Sequence, residues 1–324
     1  MLFLSGEEVQ SLLPMEEAID VIEEALRKYA AQDYIMPVRT FCTVKDEDTF
    51  LIMPCVVDGC IGLKVATSYP SNQSRQSPVT QAIVLVHDRE TGDPLAVING
   101  TVLTAIKTAA VSGVVLRYFG KDAETVGLVG TGLQGLYQLL AALSATSVRK
   151  IYLHNRTPEK IEGFIRDFRR LSGSGVETVT AADARELVRH SDIIITATTS
   201  LTPVLPDEVD LYGDKLVIGI GSYKSNMREF PEALFKAAKY FVIDSEHGKR
   251  ECGDIIDPLL YGWVRSEQVL MLSDLIAEKK ESEVIRKARP IVFKSVSMAL
   301  FDACMGNYVY QKARLLGRGT VMDF

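Results

Sequence analysis

The sequence predicts an α/β protein with a doubly wound parallel sheet and a second, α+β domain. The prediction depends first on residues 125–143, where a β-branched run closes on a glycine-rich turn and opens into an apolar helix. Runs rich in β-branched residues follow at 192–199, 215–222 and 240–244, as parallel strands buried on both faces require. At 324 residues the chain also exceeds one ordinary core, which indicates two domains.

The glycine-rich turn has the spacing of a phosphate-binding loop. Gly130 permits the tight turn, Gly132 lets the backbone approach a pyrophosphate without an intervening Cβ, and Gly135 lets the helix pack closely on the strand. Leu133 and Gln134 open the helix, whose free N–H groups and positive dipole end are available to phosphates. Other strand–helix turns rich in glycine look the same. The elements of a Rossmann-type βαβ unit follow in order here, which favours a bound dinucleotide.

The end of the next strand indicates which dinucleotide binds. Residues 150–154 form that strand, and Asn155 stands 20 positions after Gly135 (155 − 135), where an acid would bind the 2′-hydroxyl of NAD. Asn155 is not an acid, whereas Arg156 and Thr157 can contact a 2′-phosphate. The sequence therefore predicts NADP(H) as the preferred cofactor, with NAD(H) as the alternative.

Polar residues at the carboxyl ends of the later strands are expected to rim the ligand crevice. They are Thr198, Thr199, Ser222 and Tyr223. The parallel-sheet domain is predicted to span residues 121–289. A last long helix is expected from about residue 290 to 314, and the segment 290–324 is expected to complete the first domain, residues 1–120.

The first domain has the pattern of an α+β fold, and two of its lysines stand out. Lys64 lies in an apolar strand, where a cation is costly unless it is paired or faces a cleft; an edge strand protected against aggregation is the alternative. Lys107 lies in a helix of small residues, available to an anion, or else solvated on a packed helix. An amphipathic helix at 16–31 and β-rich runs at 40–44, 49–53, 60–66, 81–86 and 95–98 make up this domain.

Composition excludes several classes of function. A net charge of −6 without a run of Lys and Arg argues against nucleic acid as the main partner. No apolar stretch is expected to approach the roughly 20 residues of a membrane span, and the N-terminus lacks a signal-like pattern, so a cytoplasmic protein is predicted. Five scattered cysteines indicate reduced thiols, and no metal site is predicted because zinc-ligand spacing is missing.

Taken together, five stretches resemble the ornithine cyclodeaminase and mu-crystallin family over essentially the whole chain. Their combination is far more specific than the glycine turn alone. The matching stretches are residues 36–39, 62–64, 104–110, 130–135 and 293–302.

The resemblance implies roles for individual residues. Arg39 and Lys64 are expected to hold the substrate carboxylate and the reacting centre, with Lys64 polarising or protonating an imine or carbonyl group. Gln134, Thr198 and Ser295 are expected along the cofactor. Further substrate contacts are expected from Lys107, Tyr223 and Val296, and further cofactor contacts from Lys107 and Ser222. The resemblance also implies a homodimer formed through the sheet of the first domain.

Two departures from the family pattern bear on the reaction. The family usually has Arg where this chain has Lys107, so a bidentate contact with a carboxylate or phosphate becomes a point charge. Ornithine cyclodeaminases have a catalytic Asp where this chain has Tyr223. A tyrosine supplies no carboxylate to manage the distal amine of the substrate and the attacking water. The segment around Tyr223 and Asn155-Arg156-Thr157 look closer to the ketimine-reductase branch.

The expected function is that of an oxidoreductase which reduces a small imino acid, of the ketimine or Δ1-pyrroline-2-carboxylate type, with NAD(P)H. Two other enzymes are the alternatives: ornithine cyclodeaminase itself and an alanine dehydrogenase-like enzyme. A hypothesis from a different class is an NADPH-binding, crystallin-like protein without turnover. Lys107 in place of Arg favours that hypothesis, whereas Arg39, Lys64 and the intact glycine turn weigh against it.

Overall fold

A computed structural model describes residues 1–45, 47–75, 77–277, 285 and 287–323 of the chain. The chain forms two compact units. Unit 1 comprises Met1–Lys107 and Met298–Phe324, and unit 2 comprises Thr108–Ser297. The boundary between the units lies inside one long helix, Gly100–Phe119.

Unit 1 contains a sheet of seven strands, here called sheet A, in the order β15-β1-β6-β5-β4-β3-β2. Each of the five β-rich runs predicted for this region is a strand. The strands are β1 Leu2–Leu4, β2 Thr40–Lys45, β3 Asp48–Val57, β4 Cys60–Ser68, β5 Thr80–Asp88, β6 Pro94–Asn99 and β15 Thr320–Val321. The helices that begin in it are α1 Gly6–Leu12, α2 Met15–Ala30, α3 Gly100–Phe119 and α11 Ala299–Leu316, with a 3₁₀ segment at Pro70–Arg75.

Helix α11 packs across one face of sheet A, against β3, β4 and β5. Strands β3 and β4 alternate buried with half-buried residues, the period of two that a sheet covered on one face requires. Gly62 lets the helix come close, because a Cβ at this position would lie 2.5 Å from Cβ of Ala303. The close approach brings the residue before Ala303, Asp302, next to the strand that contains Lys64.

Unit 2 contains a sheet of eight strands, sheet B, in the order β13-β12-β14-β11-β10-β7-β8-β9. Every strand pair in it is parallel, which confirms the predicted Rossmann-type fold. Its strands are β7 Thr125–Val129, β8 Lys150–His154, β9 Glu177–Thr180, β10 Ile193–Thr196, β11 Leu216–Gly219, β12 Tyr240–Ile243, β13 Val269–Met271 and β14 Ile291–Lys294. Its helices are α4 Leu133–Ala145, α5 Glu159–Ser172, α6 Ala184–Arg189, α7 Glu232–Ala237, α8 Gly248–Glu251, α9 Gly253–Leu260 and α10 Leu272–Ala277.

The strand order of sheet B reverses between β7 and β10. Strands β8 and β9 lie on one side of β7, and β10 with the later strands lies on the other. In open parallel sheets the crevice at the carboxyl ends of two such strands is the usual ligand site. The glycine-rich turn after β7 and the segment after β10 meet at this crevice.

The last helix was predicted to begin too early. Residues 291–294 form strand β14 between β11 and β12, and helix α11 begins only at Ala299. All four residues of β14 are buried, so they have no polar alternation to distinguish a strand from a buried helix. Part of the segment assigned to the first domain therefore belongs to sheet B.

Helix α3 also corrects the expectation about apolar length. With 20 residues it is long and apolar enough, by length and composition, to cross a membrane. Within the protein, however, 78% of its apolar stretch of 18 residues is buried. Its many small side chains are buried within the protein. The core helix of a globular protein can have the same length and apolar composition as a membrane-spanning helix.

Candidate functional site

Lys64 and Lys107 meet at one carboxylate in unit 1. Nζ of Lys64 lies 2.9 Å from Oδ2 of Asp302, and Nζ of Lys107 contacts the same oxygen. Lys64 is 6% exposed, Lys107 0% and Asp302 1%. The predicted cost of a cation in this apolar strand is thus offset by an ion pair, and Lys64 is not an edge-strand residue, because β4 lies between β3 and β5.

The environment of this cluster, Lys64–Asp302–Lys107, shifts the pKa values of its members. Burial lowers the pKa of the Lys107 amine from 10.5 to about 7, although the Asp302 carboxylate acts in the opposite direction. The pKa of the Asp302 carboxyl is held below its ordinary value by the two lysines, Lys107 and Lys64, against the effect of burial. Because Lys107 has no exposed surface, an anion that enters from solvent can reach the cluster only at Lys64.

Arg39 immediately precedes strand β2 and lies level with Lys64 across sheet A. Thr40 is paired with Ile52 and Ile52 with Val65, so the row beside them contains Arg39 and Lys64. Two strand spacings separate the backbones of that row, about 10 Å. The guanidinium of Arg39 lies over the ring of Phe41, 5.2 Å from its centroid. Unit 1 thus holds both residues that were expected to hold the substrate carboxylate and the reacting centre.

In unit 2 the three glycines of the turn have the geometry that a phosphate loop requires. Gly130 has φ of +104°, and a Cβ there would lie 2.6 Å from the carbonyl oxygen of Ala197. A Cβ at Gly135 would overlap the carbonyl oxygen of Gly130, whereas a Cβ at Gly132 would meet no atom within 4 Å. The backbone of Gly132 is therefore open to a ligand, and the other two glycines shape the turn.

Unused polar atoms lie beside this open backbone. Among the described residues, Oγ1 of Thr131 and Oε1 of Gln134 are buried without a hydrogen-bond partner. Buried polar atoms ordinarily have a partner, so these two fit a ligand at the start of α4. Leu133, between them, is exposed. A cleft of about 520 Å³ borders the same turn and extends along α5, where Lys160 and Arg166 line it.

The residues expected to choose the dinucleotide follow strand β8. The side-chain amide of Asn155 donates to the carbonyl oxygen of Thr157 at 2.9 Å and so closes the turn that precedes α5. Arg156 and Thr157 are exposed at this turn. Helix α5 then begins at Glu159, with Pro158 before it. This turn presents the guanidinium of Arg156 to solvent at the carboxyl end of β8.

Glu229 ties together the segments that follow β10 and β11. Its fully buried carboxylate accepts from the N–H of Thr198 at 2.7 Å and from the Thr198 hydroxyl at 2.9 Å. It also accepts from the N–H groups of Gly221 at 2.7 Å and Ser222 at 3.1 Å. Nζ of the buried Lys294 lies 3.6 Å from it. Thr198 and Ser222, two predicted cofactor contacts, are thereby fixed on neighbouring strands.

Two further buried carboxylates hold the remaining crevice segments. Asp244 accepts from the Ser295 hydroxyl at 2.6 Å and from the N–H of Val296 at 3.1 Å. Asp254 accepts from the Ser222 hydroxyl and from the N–H of Glu229 at 3.0 Å. Burial raises the pKa of both carboxyls. Tyr223, next to Ser222, is half-buried, with Nζ of Lys224 5.8 Å from its ring centroid.

The structure therefore groups the predicted site residues in two sets. Unit 1 brings Lys64 and Lys107 into one cluster and places Arg39 in the same row of sheet A. In unit 2 the turn at 130–135, Asn155, Arg156, Thr157, Thr198, Ser222, Tyr223, Ser295 and Val296 all follow the carboxyl ends of parallel strands. Among the described residues, no group of three or more His, Cys, Asp or Glu side chains is arranged to hold a metal ion.

Sequence reasoning gave no role to Asp302, Glu229, Asp244, Asp254 or Lys294. A signal was present for three of them, because a lone charged residue inside or at the end of an apolar run needs a buried partner. Asp302 interrupts a buried helix, and Lys294 and Asp244 end or follow buried strands.

Comparison with known proteins places the chain. The model of the ornithine cyclodeaminase/mu-crystallin family matches residues 1–316. The chain belongs to this family. The Δ1-pyrroline-2-carboxylate reductase of Bacillus cereus is 33% identical to it over 334 aligned residues, 100% of each chain. The Thermococcus litoralis Δ1-pyrroline-2-carboxylate reductase, solved with NADH and L-proline, has a TM-score of 0.90 at 30% identity and covers 99% of this chain and 100% of its own.

A second solved relative extends the comparison to amino-acid dehydrogenases. An archaeal alanine dehydrogenase dimer with bound NAD has a TM-score of 0.88 at 25% identity, covering 100% of this chain and 99% of its own. These relatives confirm the expected family, the expected fold and the expectation that this chain is an enzyme. A nicotinamide dinucleotide is common to both solved relatives, and it is NADH in one and NAD in the other.

The role of Glu229 predicts a large effect of a small change. Glu229→Gln keeps the shape but turns an amide NH2 toward the N–H donors of the crevice segments and removes the carboxylate that lies 3.6 Å from Nζ of Lys294. Unfolding by urea is expected to show a loss of about 3 kcal/mol in the free energy of unfolding. Glu232→Gln is the matched control, since Glu232 lies on the surface of α7 and pairs with Lys236. Equal stability of the two variants would contradict the role of Glu229.

Proposed function

We propose that the protein reduces Δ1-pyrroline-2-carboxylate, or a similar small cyclic ketimine acid, with NAD(P)H. The observation that carries this proposal is the buried pair of lysines on Asp302, whose accessible member, Lys64, is suited to proton transfer. The open glycine turn of unit 2 supports it, as do the relatives of full length that are named for this reaction.

The dinucleotide fits the residues of unit 2. Gly132 offers open backbone, and Thr131 and Gln134 offer buried polar atoms that have no partner in the described part of the chain. Thr198, Ser222 and Ser295, held by buried carboxylates, would line the same crevice. A bound nicotinamide dinucleotide supplies the hydride for the reduction.

Lys64 and Arg39 have separate roles, proton donation and binding of the substrate carboxylate. The ammonium of Lys64 donates a proton toward the imine nitrogen, because Asp302 fixes its position and the sheet excludes water from its stem. Arg39 offers a planar fork of N–H donors that matches a carboxylate. Arg39 holds the carboxylate and thereby orients the imine relative to Lys64. This orientation lowers the activation barrier of the proton transfer.

Tyr223 makes ornithine cyclisation the weaker alternative. That reaction needs a group that manages a second, distal amine and an attacking water. A phenol at position 223 lacks the negative charge for this. The ammonium of Lys224, a cation, lies 5.8 Å from the centroid of the Tyr223 ring. Reduction of an imine that is already cyclic needs neither function, which favours the reductase over the cyclodeaminase.

A turnover experiment tests the proposal. Purified protein is expected to oxidise NADPH or NADH in the presence of Δ1-pyrroline-2-carboxylate and to form proline. Lys64→Met should lower kcat by about 10²–10⁴-fold, the usual contribution of a general acid, and Lys121→Met at an exposed turn should not. Faster formation of proline and ammonia from L-ornithine would favour the cyclodeaminase. Dinucleotide binding without turnover of any imino or amino acid would favour a binding protein.

The open backbone at Gly132 gives a test of the dinucleotide site that is separate from folding. Gly132 has φ of −98°, which any residue adopts, so Gly132→Ala should leave the melting temperature unchanged. Its methyl group would occupy the approach of the pyrophosphate, and the dissociation constant of NAD(P)H should rise about tenfold or more, equivalent to one lost charge-assisted hydrogen bond. Gly175→Ala, also in open space, is the control. Unchanged affinity in Gly132→Ala would remove the pyrophosphate from this turn.

We also propose that the enzyme prefers NADP(H) to NAD(H). Arg156 is exposed at the carboxyl end of β8, where the adenosine ribose binds in this fold. A 2′-phosphate carries about two negative charges and makes strong hydrogen bonds to a guanidinium. Asn155 offers an amide in place of the carboxylate that would select the 2′-hydroxyl of NAD.

A double variant tests this preference. Asn155→Asp with Arg156→Ala should weaken NADPH binding by about 2–3 kcal/mol and improve NADH binding through the restored carboxylate. Arg170→Ala, which removes an exposed guanidinium of α5 outside the cleft, should change neither affinity. An unchanged ratio of NADPH to NADH affinity in the double variant would show that Arg156 is only a solvated residue before the helix.

We further propose that two copies associate through sheet A. The face opposite α11 carries an apolar row, Leu63, Leu85 and Val97, each half-buried, and the exposed Ile83 beside it. All residues of the edge strand β2 are exposed. An apolar face of this kind is typical of an interface, and the alanine dehydrogenase relative is a dimer.

The association is open to a direct test. Sedimentation equilibrium should give a dimer for the wild-type protein and a monomer for Ile83→Glu, because a carboxylate would be buried without a partner. Val321→Glu, at the opposite edge of the sheet, should stay dimeric. A dimer that Ile83→Glu leaves intact would place the interface elsewhere.

A further inference from the structure

The cluster Lys64–Asp302–Lys107 holds more positive than negative groups. Two ammonium groups share one carboxylate, and all three residues are at least 94% buried. The neighbours of Lys64 across β3 and β5 are Met53 and Val84, which carry no charge. With both lysines protonated, the cluster would therefore hold one unmatched positive charge.

One more titratable group of the described residues faces the carboxylate, from strand β3. Cys55 senses the charge of Asp302, and burial raises the pKa of its thiol to about 12, so it stays neutral and balances nothing. Helix α3 contributes Lys107, β4 contributes Lys64 and α11 contributes Asp302. No described group among these elements supplies the missing negative charge.

An unmatched charge in an interior is costly, and it is removed in one of two ways. The cluster can lose a proton, so that one lysine becomes a neutral amine. Alternatively, an anion can bind beside it. Burial lowers the pKa of Lys107 to about 7, which makes the first route available near neutral pH. Lys64 is the most exposed of the three residues and Lys107 has no exposed surface, so an anion that takes the second route binds at Lys64.

We propose that Lys64, Asp302 and Lys107 share protons as one unit, and that an anion bound at Lys64 makes this unit take up one proton. The identity of that anion, the substrate carboxylate that Arg39 holds beside Lys64, rests on the proposed function. A proton from solvent forms an N–H bond on the neutral amine, and the net charge of the cluster rises from zero to plus one as the carboxylate adds minus one.

The one proton that the cluster takes up equals the one proton that imine reduction consumes. Conversion of an imine to an amine takes one hydride and one proton. Anion binding would load that proton into the cluster beside the reacting group, and Lys64 would deliver it. Lys107 is then a positioning residue that acts through Asp302 and does not touch the substrate, in contrast to the Arg that the family usually has here.

Calorimetry with a planar anion tests this proposal. Pyrrole-2-carboxylate has no nitrogen that titrates near neutral pH, so any proton taken up on binding belongs to the protein. Titrations in buffers of different ionisation enthalpy should show uptake of about one proton at pH 8 and little at pH 6, where the cluster is already protonated. Lys107→Met leaves the neutral pair Lys64–Asp302 and should show no uptake. Lys121→Met should behave as the wild type.

Uptake below about 0.2 proton in the wild type throughout this pH range would overturn the proposal, as would equal uptake in Lys107→Met. A second measurement covers the case in which the anion binds too weakly. In protein labelled with ¹³C at the lysine side chain, one signal should titrate near neutral pH and disappear in Lys107→Met or, if that variant fails to fold, in Lys107→Arg.

Titration of all lysine signals above about pH 9.5 would overturn the proposal without any ligand. These outcomes are distinct from the turnover experiment. A protein that shows the neutral titration but no reductase activity would refute the proposed substrate alone. A reductase whose lysines all titrate normally would refute proton sharing alone.

Discussion

The carboxylate of Asp302 is the constraint on which the chemistry of unit 1 depends. Without it, two lysine side chains could not lie in an interior that otherwise excludes charge. Its position follows from packing, because Gly62 of β4 lets helix α11 approach the sheet within contact of Ala303. A glycine, a small residue and an acid in this arrangement deliver an ammonium group to a fixed place in the sheet. The reactive group is thus positioned by close packing of helix on strand.

In unit 2, buried carboxylates position the crevice segments by accepting hydrogen bonds from backbone N–H groups. The carboxyl ends of its strands carry loops, and loops at a crevice contain N–H groups that sheet bonding leaves over. Glu229, Asp244 and Asp254 accept those N–H groups and neighbouring hydroxyls. Charge-assisted bonds of this kind are short and strong, so they fix the segments that contain Thr198, Ser222 and Ser295. A preformed crevice binds its ligand without first ordering its walls.

Local pattern was enough to predict much of this architecture. Strands β3 and β4 of sheet A follow a period of two, and the glycine turn has backbone angles and close contacts that its spacing predicted. Lys64 was conspicuous because a cation in an apolar strand needs a reason. The proposed role of Arg39 rests on family likeness, and that of Arg156 rests on its spacing from the glycine turn.

The rest could not be read locally. Asp302 and Lys64 lie far apart in sequence, and nothing in either segment states that they meet. Strand β14 has four buried residues and no alternation, so its apolar run fitted a helix equally well. The solvent exposure of Lys107 depends on α11 as well as on its own helix, and the sequence alone left an anion-binding and a solvated lysine equally open. In the structure Lys107 is neither solvated nor open to an anion from solvent, because tertiary packing buries it against Asp302.

The most direct test of the account is the fate of isotope in the product. The protein should be incubated with Δ1-pyrroline-2-carboxylate and NADPH or NADH that carries deuterium at the transferable position of the nicotinamide. The account predicts proline that is one mass unit heavier, with the deuterium on the α-carbon. Proline formed without deuterium, or no proline from this substrate while the labelled dinucleotide stays bound and intact, would contradict it.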